Sequence, residues 1–266
     1  MKKLSRIILI MVSALFVLTA CGDDSGDLET LKIGASPDPH AKILEFIEDD
    51  LKEEGIQLEI QEFTDYFVPN MALAEGKIDA NFFQHEPYLV DFIEEEDLDL
   101  ISLGQTHVEP MALYSESIDD LASLKDGSEI AIPNDTVNGA RALILLEENG
   151  LIKVDRDKGL NATEKDIIEN PKDLQFNPLE AALMPKSLDD VDGAVINGNY
   201  ALEAGLNPVH DGIIVEGEES PYANVIAVRT EDKSESKFVT LLRVLQSEKV
   251  SEFIEDEYNG AIVPAF

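Results

Sequence analysis

The chain has 266 residues and a formal net charge of −35 at pH 7, from 55 acidic and 20 basic residues. Such a negative charge makes nucleic acid and anionic membrane surfaces poor partners for the body of the protein. The only cysteine, Cys21, lies near the N-terminus, so the body has neither a disulfide nor a cysteine nucleophile. The acidic residues are spread along the chain, and we hypothesise that this surface suits a salty or alkaline exterior.

The first twenty residues predict a signal peptide. Lys2, Lys3 and Arg6 are basic, and the apolar run 7–17 that follows is too short for a transmembrane helix. The segment 18–21, LTAC, resembles the lipobox of bacterial lipoproteins. This resemblance implies that Cys21 becomes an acylated, palmitate-bearing N-terminus that anchors the protein on the extracytoplasmic face of the cell membrane. The alternative is an ordinary secretory signal with an incidental cysteine.

The next segments predict an α/β protein. Residues 21–29 are a polar, flexible tether, and the remaining length is natural for two domains. A strand at 31–35, an amphipathic helix at 41–54 and an alternating strand at 56–63 give β-α-β order, which implies a parallel sheet. Because open α/β sheets bind ligands at the carboxyl ends of their strands, the loops 36–40 and 64–70 are candidate ligand loops.

The middle of the chain continues this alternation. The predicted elements are a helix at 69–75, a strand at 78–83, a polar-aromatic loop at 84–88, a helix at 89–96, and strands at 100–103 and 107–114. Residues 130–151 then predict a strand, a capping turn at 134–136 and a helix over 140–149. Further on we predict a short helix at 164–168, strands at 174–176, 193–196 and 225–229, and helices at 237–246 and 249–258.

Arg141 is unusual because it lies near the start of a helix that is apolar on nearly every side. A guanidinium beside a helix N-terminus is a good site for a carboxylate or a phosphate. The alternative is an arginine that reaches water or pairs with Asp135 or Glu147. The sequence of this stretch leaves both interpretations open.

Six blocks of the sequence closely resemble the NlpA-type lipoproteins, the methionine-binding components of ABC importers. The blocks are 63–66, 81–88, 107–111, 132–135, 194–201 and 220–224. The resemblance covers the whole mature chain and implies a type II periplasmic-binding-protein fold, in which two crossover strands join two α/β lobes around a ligand cleft. We expect crossings near 111–115 and 222–229, with lobe one at 30–112 plus 226–266 and lobe two at 113–225.

The resemblance also implies ligand contacts. Arg141 would make a bidentate contact with the α-carboxylate of an amino acid. Tyr66, Phe83 and Tyr88 would enclose a thioether side chain. His85, Asn197 and Asn224 would hydrogen-bond the head group, and the family match leaves open whether Asn197 or Asn199 does so. The implied partners are methionine, of L or D hand, and an ABC permease with its ATPase. We expect a monomer without cofactor or metal.

Three other functions remain to be weighed. The strongest is the same fold binding another amino acid or a short methionine-containing peptide. A metal-binding importer lipoprotein is less favoured, since the four histidines show neither a His-rich loop nor an i, i+4 pair. An enzyme is disfavoured because G-x-S-x-G, H-E-x-x-H and glycine-rich phosphate motifs are absent from the sequence.

Overall fold

The computed structural model describes residues 28–217 and 220–266. The predicted signal peptide, the predicted lipidation site Cys21 and nearly all of the predicted tether lie outside these residues. Within them, no helix combines the length and the apolar character needed to cross a membrane.

The first lobe is built on a six-stranded sheet. Its strands are β1 (Glu29–Ala35), β2 (Ile56–Glu62), β3 (Ala80–His85), β4 (Leu100–Val108), β12 (Ala223–Arg229) and β13 (Val263–Pro264), in the spatial order β13-β4-β12-β3-β1-β2. β1 runs parallel to β2 and β3, as the β-α-β order predicts, with Ile33 opposite Ile60 and Ala80. β12 is antiparallel to both β3 and β4, a connectivity that the periodicity alone does not predict.

Helices cover this sheet and bury its apolar residues. A π-helical turn (Pro37–Ala41) leads into α1 (Lys42–Phe46) and α2 (Glu48–Glu53), and these are followed by α3 (Val68–Ala74), α4 (Glu86–Glu95), α9 (Ser236–Leu245) and α10 (Glu248–Tyr258). The largest core cluster joins the strands to α1, α2, α9 and α10, and includes fully buried Ile33, Leu44 and Phe238. The C-terminal helices therefore complete the lobe that the N-terminal half begins.

The second lobe contains a five-stranded sheet. Its strands are β5 (Ala112–Tyr114), β6 (Glu129–Pro133), β9 (Gln175–Leu179), β10 (Gly193–Ile196) and β11 (Ile214–Val215), in the order β11-β5-β10-β6-β9, and a separate hairpin pairs β7 (Lys153–Val154) with β8 (Ile167–Glu169). Its helices are α5 (Thr136–Glu148), α6 (Met184–Ser187), α7 (Gly198–Glu203) and α8 (Pro208–Asp211), with 3₁₀ turns at Leu121–Ser123, Arg156–Asn161, Glu164–Asp166 and Ala181–Leu183.

The chain passes between the two sheets twice, through 109–111 and between the end of β11 at Val215 and the start of β12 at Ala223. The prediction of a single strand over 107–114 is wrong, because β4 ends at Val108 and β5 begins at Ala112. Pro110 lies in the break, and it has no N–H to donate to a neighbouring strand. Ala112 pairs within the second sheet while 223–225 pair within the first. The strand pairing thus changes sheet within a few residues of the predicted lobe boundaries, 30–112 plus 226–266 and 113–225, which stay a prediction.

Three other predicted elements differ from the structure, and local chemistry explains each. The predicted loop 84–88 is instead the end of β3 and the start of α4, since Pro87 is favourable in the first turn of a helix. α5 begins at Thr136, four residues before its predicted start, because the Asp135 side chain caps it. The predicted helix 164–168 is a single 3₁₀ turn followed by β8.

Candidate functional site

A cavity lies between the lobes at the carboxyl ends of their parallel strands. All eight ligand-binding residues predicted from the sequence line it, together with four that were not predicted. The lining residues are Tyr66, Phe83, Gln84, His85, Tyr88, Glu109, Asn138, Arg141, Asn197, Gly198, Asn199 and Asn224.

One wall of the cavity is aromatic. The ring centroid of Tyr66 lies 5.9 Å from that of Phe83 and 5.7 Å from that of Tyr88. Phe83 and Tyr88 end β3 and begin α4, and they pack with Phe92 into a small apolar cluster. Rings at these separations form a wall that suits an apolar or polarisable side chain.

Arg141 is buried, with 3% of its surface exposed. Its Nε donates to Glu216 Oε1 at 2.9 Å, and its Nη2 donates both to Glu216 Oε2 and, at 2.9 Å, to the Glu109 carbonyl oxygen. Its Cζ lies 4.2 Å from the centre of the Tyr222 ring, a cation–π contact. Arg141 thus pairs with neither Asp135 nor Glu147, the two partners considered from the sequence.

The occupied fork of Arg141 changes how it can bind an anion. Glu216 already takes the bidentate Nε/Nη2 edge, whereas Nη1 has no hydrogen-bond partner among the described residues. A guanidinium carries five N–H donors, so the two on Nη1 are available to a ligand in the cavity. The geometry therefore offers a carboxylate the Nη1 end of Arg141 rather than its full fork.

His85 is a neutral donor in this cavity. The Tyr88 backbone N–H donates to His85 Nδ1 at 3.1 Å, so the ring proton is on Nε2, which donates to Asn138 Oδ1 at 3.0 Å. Burial, and secondarily the charge of Arg141, lowers the pKa of His85 to about 3, which keeps the ring uncharged at neutral pH.

Asn138 links the two lobes and was not predicted. Its Oδ1 also accepts from Asn197 Nδ2 at 2.8 Å, and its own Nδ2 donates to Asp135 Oδ1 at 2.9 Å. Asn138 precedes Arg141 by three residues and so lies on the same face of α5, a spacing that could have identified it. After these bonds Asn197 Oδ1 and Asn199 Nδ2 are buried without partners in the described part of the chain.

Glu109 is the second residue that the sequence did not single out. It is buried, and its Oε1 lies 2.9 Å from His107 Nε2 and 3.1 Å from His40 Nε2, whose hydrogen-bond partner is Asn224 Oδ1 at 3.2 Å. The Thr106 hydroxyl donates to the Asn224 carbonyl oxygen at 3.0 Å and therefore accepts from His107 Nδ1, which leaves His107 Nε2 as an acceptor toward Glu109. Burial lowers the pKa of His40 to about 4 and that of His107 to about 3, so both rings are neutral at pH 7. Burial raises the pKa of Glu109, while His40 and Arg141 act in the opposite direction.

This trio is also the group of described residues that could hold a metal, because its donor atoms lie within 4.8 Å of one another. The two N···O separations are hydrogen-bond lengths. A tetrahedral zinc ion with bonds of about 2.0–2.1 Å would hold its donors roughly 3.3 Å apart. The geometry therefore fits a hydrogen-bonded carboxylate between two imidazoles better than a zinc site.

Two α/β lobes, two connections and an interlobe cavity define the class of two-lobed substrate-binding proteins. The NlpA lipoprotein family model matches residues 31–266, and the chain belongs to that family. The D-methionine-binding lipoprotein MetQ of Salmonella typhimurium is 43% identical to it over 249 residues, covering 92% of this chain and 92% of the relative.

Solved structures agree with the fold. A nutrient binding protein from Burkholderia cenocepacia bound to methionine has a TM-score of 0.86 and 42% identity, covering 89% of this chain and 100% of that chain. Lipoprotein Tp32 from Treponema pallidum also has a TM-score of 0.86 and 42% identity, covering 89% of this chain and 99% of that chain. The type II periplasmic-binding-protein fold expected from the sequence is confirmed.

Proposed function

We propose that this protein is the extracytoplasmic substrate-binding lipoprotein of an ABC importer and that it captures methionine between its lobes. The observation that carries this proposal is a single cavity with the Nη1 end of Arg141 at one position and the rings of Tyr66, Phe83 and Tyr88 at another. A zwitterion entering a dry cavity needs both charges paired, and a thioether is favourable against aromatic rings. The relatives named for methionine support the same ligand.

The proposed roles follow from the donors and acceptors present. Arg141 pairs with the α-carboxylate through Nη1, and neutral His85 shares with the head group the Nε2–H that it donates to Asn138 Oδ1. Asn197, Asn199 and Asn224 hydrogen-bond the head group, because amides supply both donors and acceptors. The aromatic residues surround the side chain. We propose a binding role rather than catalysis, since the lining set contains no serine, cysteine or lysine nucleophile.

Transport follows from hinge motion of the lobes. The open protein captures methionine outside the cell, closes on it, and presents the closed form to a membrane permease driven by a cytoplasmic ATPase. Acylated Cys21 holds the monomeric protein at the extracytoplasmic surface of the membrane. The runner-up ligand is another amino acid or a short methionine-containing peptide, because the carboxylate contact is better defined than the side-chain wall.

Two measurements test the proposal. Mass spectrometry of small molecules released by denaturing the purified protein identifies the bound ligand, and calorimetry compares L-methionine, D-methionine, leucine and methionine dipeptides. We expect methionine to bind more tightly than leucine, which lacks the sulfur. A protein that binds leucine as tightly, or that binds no amino acid, would overturn the proposed function.

A further inference from the structure

A groove between the lobes adjoins the ligand cavity and shares Tyr66 and Tyr88 with it. Six carboxylate side chains line this groove, and its described lining residues include no lysine, arginine or histidine. Four of the carboxylates come from the first lobe and two from the second: Asp65, Asp91, Glu95, Glu96, Asp135 and Glu180. We call this feature the acidic groove. A cleft lined by charges of one sign focuses a strong potential of that sign.

The aromatic wall of the ligand cavity lies within this negative potential. Burial raises the pKa of Tyr88, a residue that lines both spaces. Three carboxylates of the acidic groove raise this pKa further, namely Asp135, Asp65 and Asp91. The charges of the groove therefore act on a ring that also faces the cavity.

The tyrosine hydroxyl groups of this wall already have partners. Tyr66 donates to Asn199 Oδ1, and Tyr88 donates to the backbone carbonyl oxygen of Tyr66 at 3.2 Å. The ring of Phe83, whose centroid lies 6.3 Å from that of Tyr88, carries no polar group. The wall therefore offers a ligand its electron-rich ring surfaces rather than O–H donors.

We infer that the side-chain end of the cavity also accepts a cation, so that the protein binds sulfonium amino acids, in which the methionine sulfur carries a further alkyl group and a positive charge. This inference rests on the proposed function, which places the sulfur against Tyr66, Phe83 and Tyr88, and it deepens that function by adding a class of substrate.

Two attractions favour such a ligand over a neutral one of the same shape. Aromatic rings attract an alkylated cation through their negative faces, and the acidic groove adds a longer-range attraction. A sulfonium ion has no N–H or O–H donor, so it loses no donated hydrogen bond to water when it enters the cavity. The charge of the ligand is therefore expected to strengthen its binding.

The test uses two ligands of nearly equal shape. S-Methylmethionine ends in a dimethylsulfonium group, and 2-amino-5-methylhexanoic acid ends in an uncharged isopropyl group on a chain of the same length. Calorimetry measures the affinity of the purified protein for both ligands and for methionine. S-Methylmethionine should bind about tenfold or more tightly than the uncharged ligand, because the two differ in charge and hardly in size.

Substitutions in the acidic groove test the source of this preference. Asp91 and Glu95 lie on α4, and Asp91→Asn combined with Glu95→Gln removes two charges without shortening a side chain. This double variant should reduce the preference for S-methylmethionine by about threefold and leave methionine affinity unchanged. Glu252→Gln combined with Glu255→Gln is the matched control, since both residues are exposed on α10 and neither lines the groove. The control should match the wild type.

Several results would overturn the inference. They are equal binding of the two branched ligands, tighter binding of the uncharged one, or binding of methionine alone. A groove variant that keeps the wild-type preference, or a control that loses as much of it, would also count against the acidic groove as its source.

Failure of the proposed function gives a different result, because methionine itself would then not bind. A preference for S-methylmethionine over the uncharged ligand in that case would still support a cation site at the aromatic wall. A protein that binds neither methionine nor either branched ligand would reject both proposals.

Discussion

Arg141 has a fully paired charge even without ligand, because Glu216 neutralises it inside the protein. The residue nevertheless keeps the Nη1 donors for the cavity. A buried cation of this kind can contribute to folding and to binding through different atoms. The two contributions can therefore be measured separately.

Arg141→Ala should weaken methionine binding by about 2–5 kcal/mol, as expected when one partner of a buried charge pair is removed. It should also lower the free energy of unfolding, because Glu216 then lacks its partner. Calorimetry gives the first quantity and chemical denaturation the second. Arg156→Ala is the matched control, since its side chain is 60% exposed. Unchanged affinity in Arg141→Ala would remove Arg141 from the site.

The raised pKa of Glu109 predicts how affinity depends on pH. We expect an ionised Glu109 to attract the ammonium group of a bound amino acid, so affinity should be full above the Glu109 pKa and should fall as the pH drops through it. His40, His85 and His107 remain neutral over roughly pH 5 to 7.5, because their lowered pKa values lie at about 3 to 4. The charged groups that act on Glu109 are Arg141, which lowers its pKa, and Asp38, which raises it.

Calorimetry at several pH values measures this effect, and comparing buffers of different ionisation enthalpy detects proton release on binding. Glu109→Gln should give a flatter profile with less proton release. The same pH dependence in wild type and variant would assign the titration to another group.

Among the elements, α7 shows how a short helix can serve a site. It starts directly after β10, and its first residue, Gly198, allows Glu109 to reach the backbone N–H groups. Asn197 and Asn199 flank this glycine and both line the cavity. The Asn-Gly-Asn sequence alone is a turn signal, so only its position after a strand indicates a site.

Gly198→Ala should disturb this contact. The added Cβ would lie 2.7 Å from Glu109 Cβ and 3.2 Å from Glu109 Oε2, so the carboxylate or the helix must move. We expect a loss of about 1–3 kcal/mol in unfolding free energy and roughly tenfold weaker methionine binding. Gly217→Ala is the control, because a Cβ at that position would have no heavy atom of the described residues within 4 Å. Wild-type affinity in Gly198→Ala would show that Glu109 does not depend on this approach.

The elements that the sequence predicts best are those with strong local signals. α5 could be recognised from its apolar residues and the cap at Asp135, and the parallel β1–β2 pair from alternation. The position of β12 between β3 and β4 could not be predicted in this way, because the pairing joins residues more than a hundred positions apart.

The same limit applies to the site. The resemblance brought together the eight predicted residues, which share one cavity. The meeting of His40 with His107 and Glu109 joins two segments that lie far apart in the chain, and this contact has no local sequence signature. Glu216 was missed for a similar reason, since it lies 75 residues from Arg141 in the chain.

On the scale of the whole molecule, the dominant property is the net charge of −35. Several described ion pairs are exposed, including Lys153–Glu169 and Arg243–Glu54, and pairs of this kind contribute about 0–1 kcal/mol each. Repulsion among the remaining carboxylates opposes folding and is screened by salt.

Sodium chloride should therefore raise the melting temperature, with most of the increase between roughly 0.05 and 1 M, where the screening length shortens from above ten to about 3 Å. Potassium chloride should raise the melting temperature by the same amount if charge screening is the cause. A melting temperature and a methionine affinity that do not change with salt would reject the hypothesis that the acidic surface suits a saline exterior.

The lobes also contact each other directly across the cavity. Tyr66 donates to Asn199, Tyr200 donates to the Thr64 carbonyl oxygen at 3.2 Å, and His85 bonds Asn138. These contacts join a residue of the first lobe to one of the second in each case. The described conformation is therefore one in which the lobes are already together.

The placement of Arg141 has a consequence for how the molecule moves. Its guanidinium touches the backbone of one interlobe segment at Glu109 and the side chains of Glu216 and Tyr222 on the other. Residues of both interlobe segments thus contact one guanidinium, located where an incoming carboxylate would arrive. A carboxylate that binds Arg141 therefore also affects both interlobe segments. Substitutions in either segment are expected to change the rate of substrate release, even where the substituted residue does not contact the substrate.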